Sequence, residues 1–337
     1  MNIFDLVVEL EEFKAQYLEA ANNVDKVTRF WNTFNPDPIG LLNNRQFLHL
    51  RDRLFELLRA CKGIDSAAFS KIHKGHPYYF IGITSYLLDD FQTAIYFFDA
   101  AVTEDLNAGA HPTANPKPST RFLMLEGTEK GQGAKIITEI TEAKIDRVLN
   151  YYQTQITKHT SIRQLTKDIL RTEFIVPCLI NTSNSGLRTL VTALITFCVE
   201  WDFRNQHFEY GVKSGTSEPF FSHLFRGCLL FESLLIHNRM FQPIGKNLGA
   251  ILNEPRIRQE LNIAPIIGKG GDILADVYAE LQTSSNTIQE AIKITYMTRN
   301  TLGHNFGWDS SITQEQYQRL YLIIASSCLH VIACLWK

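Results

Sequence analysis

The sequence has no large excess of either charge and no cysteine motif, and these absences argue against a basic nucleic-acid-binding protein and against a disulfide or zinc framework. Its 337 residues include 33 basic and 35 acidic side chains, for a net charge of −2. The chain as a whole therefore lacks the basic character typical of nucleic-acid-binding proteins, and any such contact must come from a local patch. Six scattered cysteines without a C-x-x-C pair favour free buried thiols over a disulfide or zinc framework. We therefore expect a cytoplasmic protein.

The sequence also argues against a signal peptide and against a membrane span. Asp5 and Glu9 interrupt the apolar start of the chain, whereas a signal peptide has a basic start and then an unbroken apolar core. The longest apolar run is LYLIIASSCLHVIACLW, residues 320–336. It contains His330 and two serines, and it is shorter than the roughly 20 residues that a bilayer requires. We expect a buried helix there and no membrane contact.

Helical periodicity is what the sequence has in abundance. Apolar residues at helical spacing predict a first helix near 3–22 and another near 43–61 that stops before Gly63. Convincing alternating strands are absent, although the apolar segment EFIVPCLI, residues 173–180, could form one short strand. The sequence therefore predicts an all-α protein.

Two breaks divide the chain into regions. Residues 107–120 are rich in Pro, Ala and Asn with almost no large apolar residue, and a second break falls near 210–219. They predict an N-terminal helical region over 1–106, a linker over 107–120, a middle helical segment over 121–210 and a C-terminal helical domain over 211–337. The middle segment contains no motif that we can interpret. The C-terminal region has a common domain size.

The N-terminal region contains a helical hairpin pattern in residues 76–102. Its small and large residues alternate at the spacing of a tetratricopeptide repeat: Tyr78, Ile81, Gly82, Phe91, Ala94, Phe98 and Ala101. The stretch resembles one such repeat, but Ser85 stands where the repeat has a tyrosine, and Leu106 replaces its closing proline. An ordinary helical hairpin explains the pattern equally well. Either interpretation suggests that this region binds a protein partner.

Motifs for phosphate loops and metals are missing. The Gly-Lys segments at 244–247 and 267–272 lack the spacing and the Ser or Thr of a phosphate-binding loop. The ten histidines are dispersed apart from His73 and His76, and no carboxylate or cysteine joins that pair at ligand spacing. We therefore expect no metal and no cofactor.

The stretch from 287 to 304 is the most informative part of the sequence. Thr287 and Glu290 have the spacing of a capping box, so a helix is predicted to begin there. The apolar stripe of that helix reaches Arg299 when it is extended by one turn, and a guanidinium in that position needs a partner or a purpose. The stripe consists of Ile288, Ala291, Ile292 and Thr295.

A histidine and an asparagine follow Arg299 at the end of this helix. Asn300 and His304 are four residues apart and share a face with Tyr296. Gly303 can end the helix and allow His304 to turn toward Arg299, and a helix C-terminus favours the protonated form of a histidine. A protonated histidine beside an arginine is suited to binding a phosphate and protonating a leaving oxygen.

Arg299-Asn300-x-x-x-His304 resembles the R-x(4–6)-H motif of the HEPN superfamily of small all-helical domains. The resemblance covers about residues 217–337 and implies a C-terminal HEPN-like helical bundle. Many HEPN proteins are metal-independent ribonucleases of toxin and antiviral-defence systems, and two chains pair to form one composite cleft. The resemblance thus implies a homodimer. It also implies RNA cleavage by attack of the 2′-hydroxyl.

The resemblance assigns roles to individual residues. Arg299 binds the scissile phosphate, His304 acts as acid and base, and Asn300 orients the pair. Glu232, on the first helix of the bundle, is the candidate for the acidic residue that often completes such sites. The chain departs from the family pattern at Phe306, where some members carry a regulatory tyrosine.

Single-stranded RNA is the substrate that this resemblance implies. The candidates for binding it are Lys293, Tyr296 and Arg226, since basic and aromatic side chains near the motif form a local patch on a chain without overall basic charge.

A structural interpretation stands beside this one. Arg299 could bond helix-end carbonyls, His304 could cap the helix, and Glu232 could pair with Arg226 or with Arg299. The protein would then be a non-catalytic interaction protein that uses its HEPN-like unit for dimerisation or partner binding. The ribonuclease hypothesis predicts that Arg299 and His304 line an accessible cleft at a two-fold axis. The alternative predicts that both are engaged in hydrogen bonds within one chain.

Overall fold

The chain folds into helices throughout the part that the structure describes. The computed structural model describes residues 10–35, 37–111, 113–126, 132–156, 163–181, 184, 186–210, 217–245, 247–266, 274–304 and 311–337, without the side chains of 10, 132–136 and 304. No strand occurs within these ranges. The all-α prediction is confirmed.

Contacts between Cα atoms divide the chain into two compact units, 1–140 and 141–337. This division differs from the predicted domain boundaries, because it cuts the predicted middle segment 121–210 at residue 140. The helix α9, Gln132–Ile156, contains the boundary. The other helices of the first unit are α1 (Leu10–Asn22), α2 (Val24–Phe34), α3 (Pro38–Asn43), α4 (Phe47–Ile64), α5 (Ser66–Lys71), α6 (Gly75–Leu87), α7 (Phe91–Asn107) and α8 (Pro118–Leu123).

The hairpin predicted from residues 76–102 is formed by α6 and α7. Gly82 of α6 faces the ring of Phe98, since a Cβ atom at Gly82 would lie 2.8 Å from two ring carbons. Ala94 and Ala101 are fully or almost fully buried on α7. Small residues thus allow the two helix backbones to approach and large side chains to fill the space between them. This packing is compatible with an ordinary hairpin and with a tetratricopeptide-like one.

Two sequence-based details of the first unit need correction. Helix α4 does not stop before Gly63 but continues through it to Ile64. Gly63 is exposed, and the chain leaves the helix at Asp65, whose side chain caps the start of α5. The predicted linker 107–120 is partly ordered into α8, which begins at Pro118. Proline is favoured at a first helical position because its missing N–H has no partner there.

The second unit is built around the C-terminal helix α18. Its remaining helices are α10 (Lys167–Ile169), α11 (Val176–Ile180), α12 (Gly186–Tyr210), α13 (Glu218–Ile236), α14 (Leu248–Asn253), α15 (Pro255–Leu261), α16 (Leu274–Thr283), α17 (Ile288–His304) and α18 itself (Gln314–Leu335). Every residue of α18 from Ile323 to Leu335 is buried, so the buried helix predicted for 320–336 is confirmed. Helices α12, α13 and α17 all pack against it.

The segment 173–180 is helical, and the possible strand is wrong. A π-helix covers Leu170–Ile175 and runs directly into α11. Phe174 and Ile175 are fully buried, and a short apolar run that is enclosed on all sides has the same sequence pattern in a strand and in a helix.

Capping side chains determine where α17 and α18 begin. The Thr287 backbone N–H donates to Glu290 Oε2 at 3.0 Å and the Glu290 N–H donates to Thr287 Oγ1 at 3.3 Å, which confirms the predicted box. Ser311 and Gln314 also have the spacing of a capping box and predict the start of the last helix there, but the box that forms at α18 is two residues later, with Thr313 and Gln316. That register places Ile312 and Tyr317, both buried, at the positions of a hydrophobic staple.

Candidate functional site

Helix α17 carries Arg299 to the edge of the second unit's core. The apolar stripe predicted for this helix is buried, with exposed fractions of 0–2% for Ile288, Ala291, Ile292 and Thr295. One turn later, the Arg299 side chain is 28% exposed. The stripe therefore leads from the core to a half-buried guanidinium, and a charge in such a position needs a hydrogen-bonding partner.

That partner is Glu232 of α13. Arg299 Nε donates to Glu232 Oε2 at 2.9 Å, and Nη2 donates to Oε1 at 3.3 Å. The Glu232 side chain is only 15% exposed. A two-point arginine–carboxylate pair holds both groups in one orientation. Of the two partners that the sequence analysis allowed for Glu232, the structure selects Arg299.

Small and apolar groups surround the Glu232–Arg299 pair. A Cβ atom at Gly303 would lie 3.4 Å from Arg299 Nη1 and 3.6 Å from a ring carbon of Phe225. Cys228, on the same helix as Glu232, is buried and donates to the Thr295 carbonyl at 3.7 Å. Burial raises the pKa of the Cys228 thiol, while nearby Arg299 lowers it. This cysteine is a neutral packing group and not a nucleophile.

The structure places the other α17 candidates as follows. Lys293 forms an ion pair with Glu280 of α16, with Nζ 2.7 Å from Oε1. The Tyr296 hydroxyl lies against α14, where a Cβ atom at Gly249 would be 2.9 Å from it. Asn300 is half-buried next to Arg299. Lys293 and Tyr296 thus face neighbouring helices of the same unit.

Arg226 is held by an acidic residue that the sequence analysis missed. Its guanidinium donates through Nη1 and Nη2 to Glu200 of α12, which also accepts from Arg204 Nε at 3.0 Å. Glu200 is 3% exposed, whereas the Arg226 side chain is 37% exposed. One carboxylate between two guanidinium groups leaves a net positive charge at this surface. The i,i+4 spacing of Glu200 and Arg204 was the available sequence signal.

His304 is the last residue of α17, and its side chain lies outside the described residues. Phe306 and the Gly-Lys segment 267–272 also lie outside them. The structure therefore brings Glu232 and Arg299 together and places the backbone of His304 about one and a half turns beyond Arg299. That arrangement can hold a phosphate oxygen at the guanidinium. The Nη1 corner, on the Gly303 side, is not used by Glu232.

No group of three His, Cys, Asp or Glu side chains that could hold a metal ion occurs in the described ranges. Helices α13 and α18 are long and apolar enough to cross a membrane by length and composition. In the second unit, 56% and 83% of their apolar windows are buried, so the two helices are weak evidence for a membrane span.

Compared with protein-family models, curated proteins and solved structures, the chain gives no match. A function is therefore inferred from the residues themselves.

Proposed function

We propose that the protein is a metal-independent endoribonuclease of the HEPN type that cleaves single-stranded RNA in the cytoplasm. The observation that carries this proposal is the two-point pair between Glu232 and Arg299 at the end of α17. The pair orients a guanidinium about one and a half helical turns before His304. Planar, oriented guanidinium groups bind phosphate oxygens through two hydrogen bonds.

The reaction is a transesterification at phosphorus. The 2′-oxygen forms a bond to the adjacent phosphorus while the bond from phosphorus to the 5′-oxygen breaks. His304 removes the proton of the 2′-hydroxyl and supplies a proton to the leaving 5′-oxygen, and Arg299 stabilises the charge on the non-bridging oxygens. The products are a 2′,3′-cyclic phosphate and a 5′-hydroxyl. No redox partner, metal or organic cofactor takes part in this scheme.

A homodimer is part of the proposal. Leu229 and Ile236 are 39% and 40% exposed, and they stand three and four residues from Glu232, on the same face of α13. Met240, after the end of α13, is 42% exposed as well. A second copy covering that face of α13 would place two Glu232–Arg299 pairs near each other. Arg226, with the excess positive charge at Glu200, is the strongest candidate for a further phosphate contact.

A non-catalytic interaction protein is the second candidate. It is favoured by the same hydrogen bonds, because Arg299 is engaged within its own chain. In this case the Glu232–Arg299 pair stabilises the contact between α13 and α17, and the exposed face of α13 serves dimerisation or a partner. The first unit, with its helical hairpin, would bind a protein partner in either case.

The test is cleavage of single-stranded RNA in excess EDTA by the purified full chain. We expect cleavage by the wild type and a loss of about a hundredfold or more in Arg299→Ala and His304→Ala. The matched controls are Arg163→Ala and His207→Ala, which remove an exposed arginine and an exposed histidine of the same unit and should retain activity. Cleavage that survives in Arg299→Ala and His304→Ala would support the second candidate.

A further inference from the structure

A cavity in the first unit carries a cluster of polar groups that the proposed function does not use. It has a volume of about 300 Å³ and lies among α2, α6, α7 and the start of α8, at the small end of the range for small-molecule sites. Trp31, Tyr79 and Pro118 provide apolar walls. Asp105 and His73 lie in the same lining, and Asp105 is 9% exposed.

The hydrogen bonds of His73 orient its ring toward Asp105. The backbone N–H of Gly75 donates to Nδ1 at 3.3 Å, and Nε2 lies 3.1 Å from Asp105 Oδ1. A ring that accepts at Nδ1 donates from Nε2, so the imidazole N–H of His73 is directed at the Asp105 carboxylate. This hydrogen bond holds the carboxylate in place at the cavity.

Lys74, the buried lysine that follows His73 in the sequence, is engaged by other groups. Lys74 donates to the carbonyl oxygens of Phe69 and Ile72 at 3.0 and 2.7 Å, and its Nζ lies 2.9 Å from Glu104 Oε1. These three acceptors match the three hydrogens of the ammonium group. Among the residues described by the structure, no lysine or arginine forms a salt bridge with Asp105. The cavity thus presents a nearly buried carboxylate whose side-chain partner is the His73 imidazole and not a lysine or arginine, and an added cation can stabilise such a carboxylate.

Glycine at position 75 preserves this arrangement. A Cβ atom there would lie 2.5 Å from His73 Cε1 and 3.1 Å from Asp105 Oδ1. The Trp31 indole N–H donates to the His73 carbonyl at 2.7 Å, which fixes the backbone from the other side. The carboxylate, the imidazole and the indole are therefore held in place before any ligand arrives, and such preorganisation favours binding.

The remaining titratable groups of the lining are neutral or lie at its rim. Burial lowers the pKa of His76 below its usual 6.5 and raises the pKa of Tyr79 to about 12, so both are uncharged at neutral pH. Lys117 is the lining's cation, and it is exposed. A neutral imidazole accepts a hydrogen bond from an ammonium group without repelling it.

We propose that this cavity binds a small organic ammonium ion with an apolar, ring-sized body. The ammonium group donates to the Asp105 carboxylate and to neutral His76, and the faces of Trp31 and Tyr79 attract the positive charge. The apolar body lies along the aromatic walls, and Pro118 closes the side formed by α8. The occupant is a free small amine, since the volume is too small for a folded partner segment.

Three probes of the same size and different charge test the proposal with the full chain. Benzylamine is the cation, benzyl alcohol the neutral analogue and benzoate the anion, and binding is measured by titration calorimetry. The variants are Asp105→Asn and, as a matched control, Asp52→Asn, which changes an exposed acid of the same unit. Circular dichroism and the melting temperature check that both variants fold.

We expect saturable binding of benzylamine to the wild type and to Asp52→Asn, and a loss of about tenfold or more for benzyl alcohol and for Asp105→Asn. Absence of saturable benzylamine binding would overturn the proposal, as would equal binding of the alcohol. Tighter binding of benzoate would overturn it in favour of an anion site at Lys117. The comparison of the three probes uses the wild type, so it tests the ammonium site even if Asp105→Asn does not fold.

Discussion

The pair between Glu232 and Arg299 can be measured separately from any activity by a double-mutant cycle. The perturbations are Glu232→Gln, Arg299→Gln and both together. Each single variant leaves one half-buried charge without its partner, since the two side chains are 15% and 28% exposed. The double variant removes both charges and leaves two amides of similar size.

The structure gives the expected magnitude. At a charge separation of about 4 Å and an effective dielectric constant of about 20, the attraction is about 4 kcal/mol. Desolvation of both groups offsets part of it, and hydrogen bonds to charged groups have a net value of about 1.5–3 kcal/mol. We expect each single variant to lose about 2 kcal/mol of unfolding free energy and the double variant to lose about 2 kcal/mol as well, instead of 4.

Urea denaturation followed by circular dichroism gives the four free energies of unfolding. Unchanged slopes with denaturant would show that the variants unfold from comparable native states. A coupling energy below about 0.5 kcal/mol would refute the geometry described for this pair, because it is the value of an exposed, mobile ion pair.

Three further predictions concern the stability of the second unit, and Gly63→Ala in the first unit is the control for one of them. Gly227→Ala should lower the unfolding free energy by about 2 kcal/mol, because the new Cβ would lie 2.5 Å from the Phe197 ring; Gly63→Ala, with nothing within 4 Å, should raise it by about 0.5–1 kcal/mol. Burial lowers the pKa of His223 well below 6.5. The neutral imidazole therefore stabilises the fold above pH 6.5, and this stabilisation is lost as the pH falls below 6.5, by up to about 1.4 kcal/mol per pH unit. Denaturation of the wild type and of His223→Gln between pH 7.5 and 5 measures the difference in how the unfolding free energy depends on pH. Glu200→Gln leaves two arginines without their shared carboxylate and should cost about 3 kcal/mol; no loss of stability would contradict the hydrogen bonds assigned to Glu200.

Much of the fold can be predicted from the sequence, because its capping boxes and apolar periodicity agree with how the helices pack. The box of Thr287 and Glu290 starts α17, and the apolar run 320–336 forms the central helix of the second unit. The secondary structure of segment 173–180 cannot be predicted in this way. An enclosed apolar run has no polar face, so its periodicity does not distinguish a helix from a strand. The start of α18 is ambiguous for a different reason. Two overlapping S/T-x-x-Q patterns are present, and burial of Ile312 and Tyr317 selects the second.

The site is only partly readable from the sequence. The position of Arg299 at the end of an apolar stripe follows from helical spacing, but its partner is 67 residues away, so a single sequence cannot distinguish Glu232 from other acids. Glu200 escaped notice because its 3% exposure depends on how α12 and α13 pack. The cavity around Asp105 is lined by four separate helices, and local sequence patterns do not predict which helices pack around one cavity.

The most direct test of the proposed ribonuclease uses two RNAs of one mixed sequence, one unmodified and one with a 2′-O-methyl group at every position. Both are incubated with the full chain in excess EDTA, and the ends of the products are identified by mass spectrometry. The account predicts that only the unmodified RNA is cleaved, with 2′,3′-cyclic phosphate and 5′-hydroxyl ends, and that Arg299→Ala abolishes the reaction. Cleavage of the methylated RNA, or no cleavage of the unmodified one by the wild type, would contradict it.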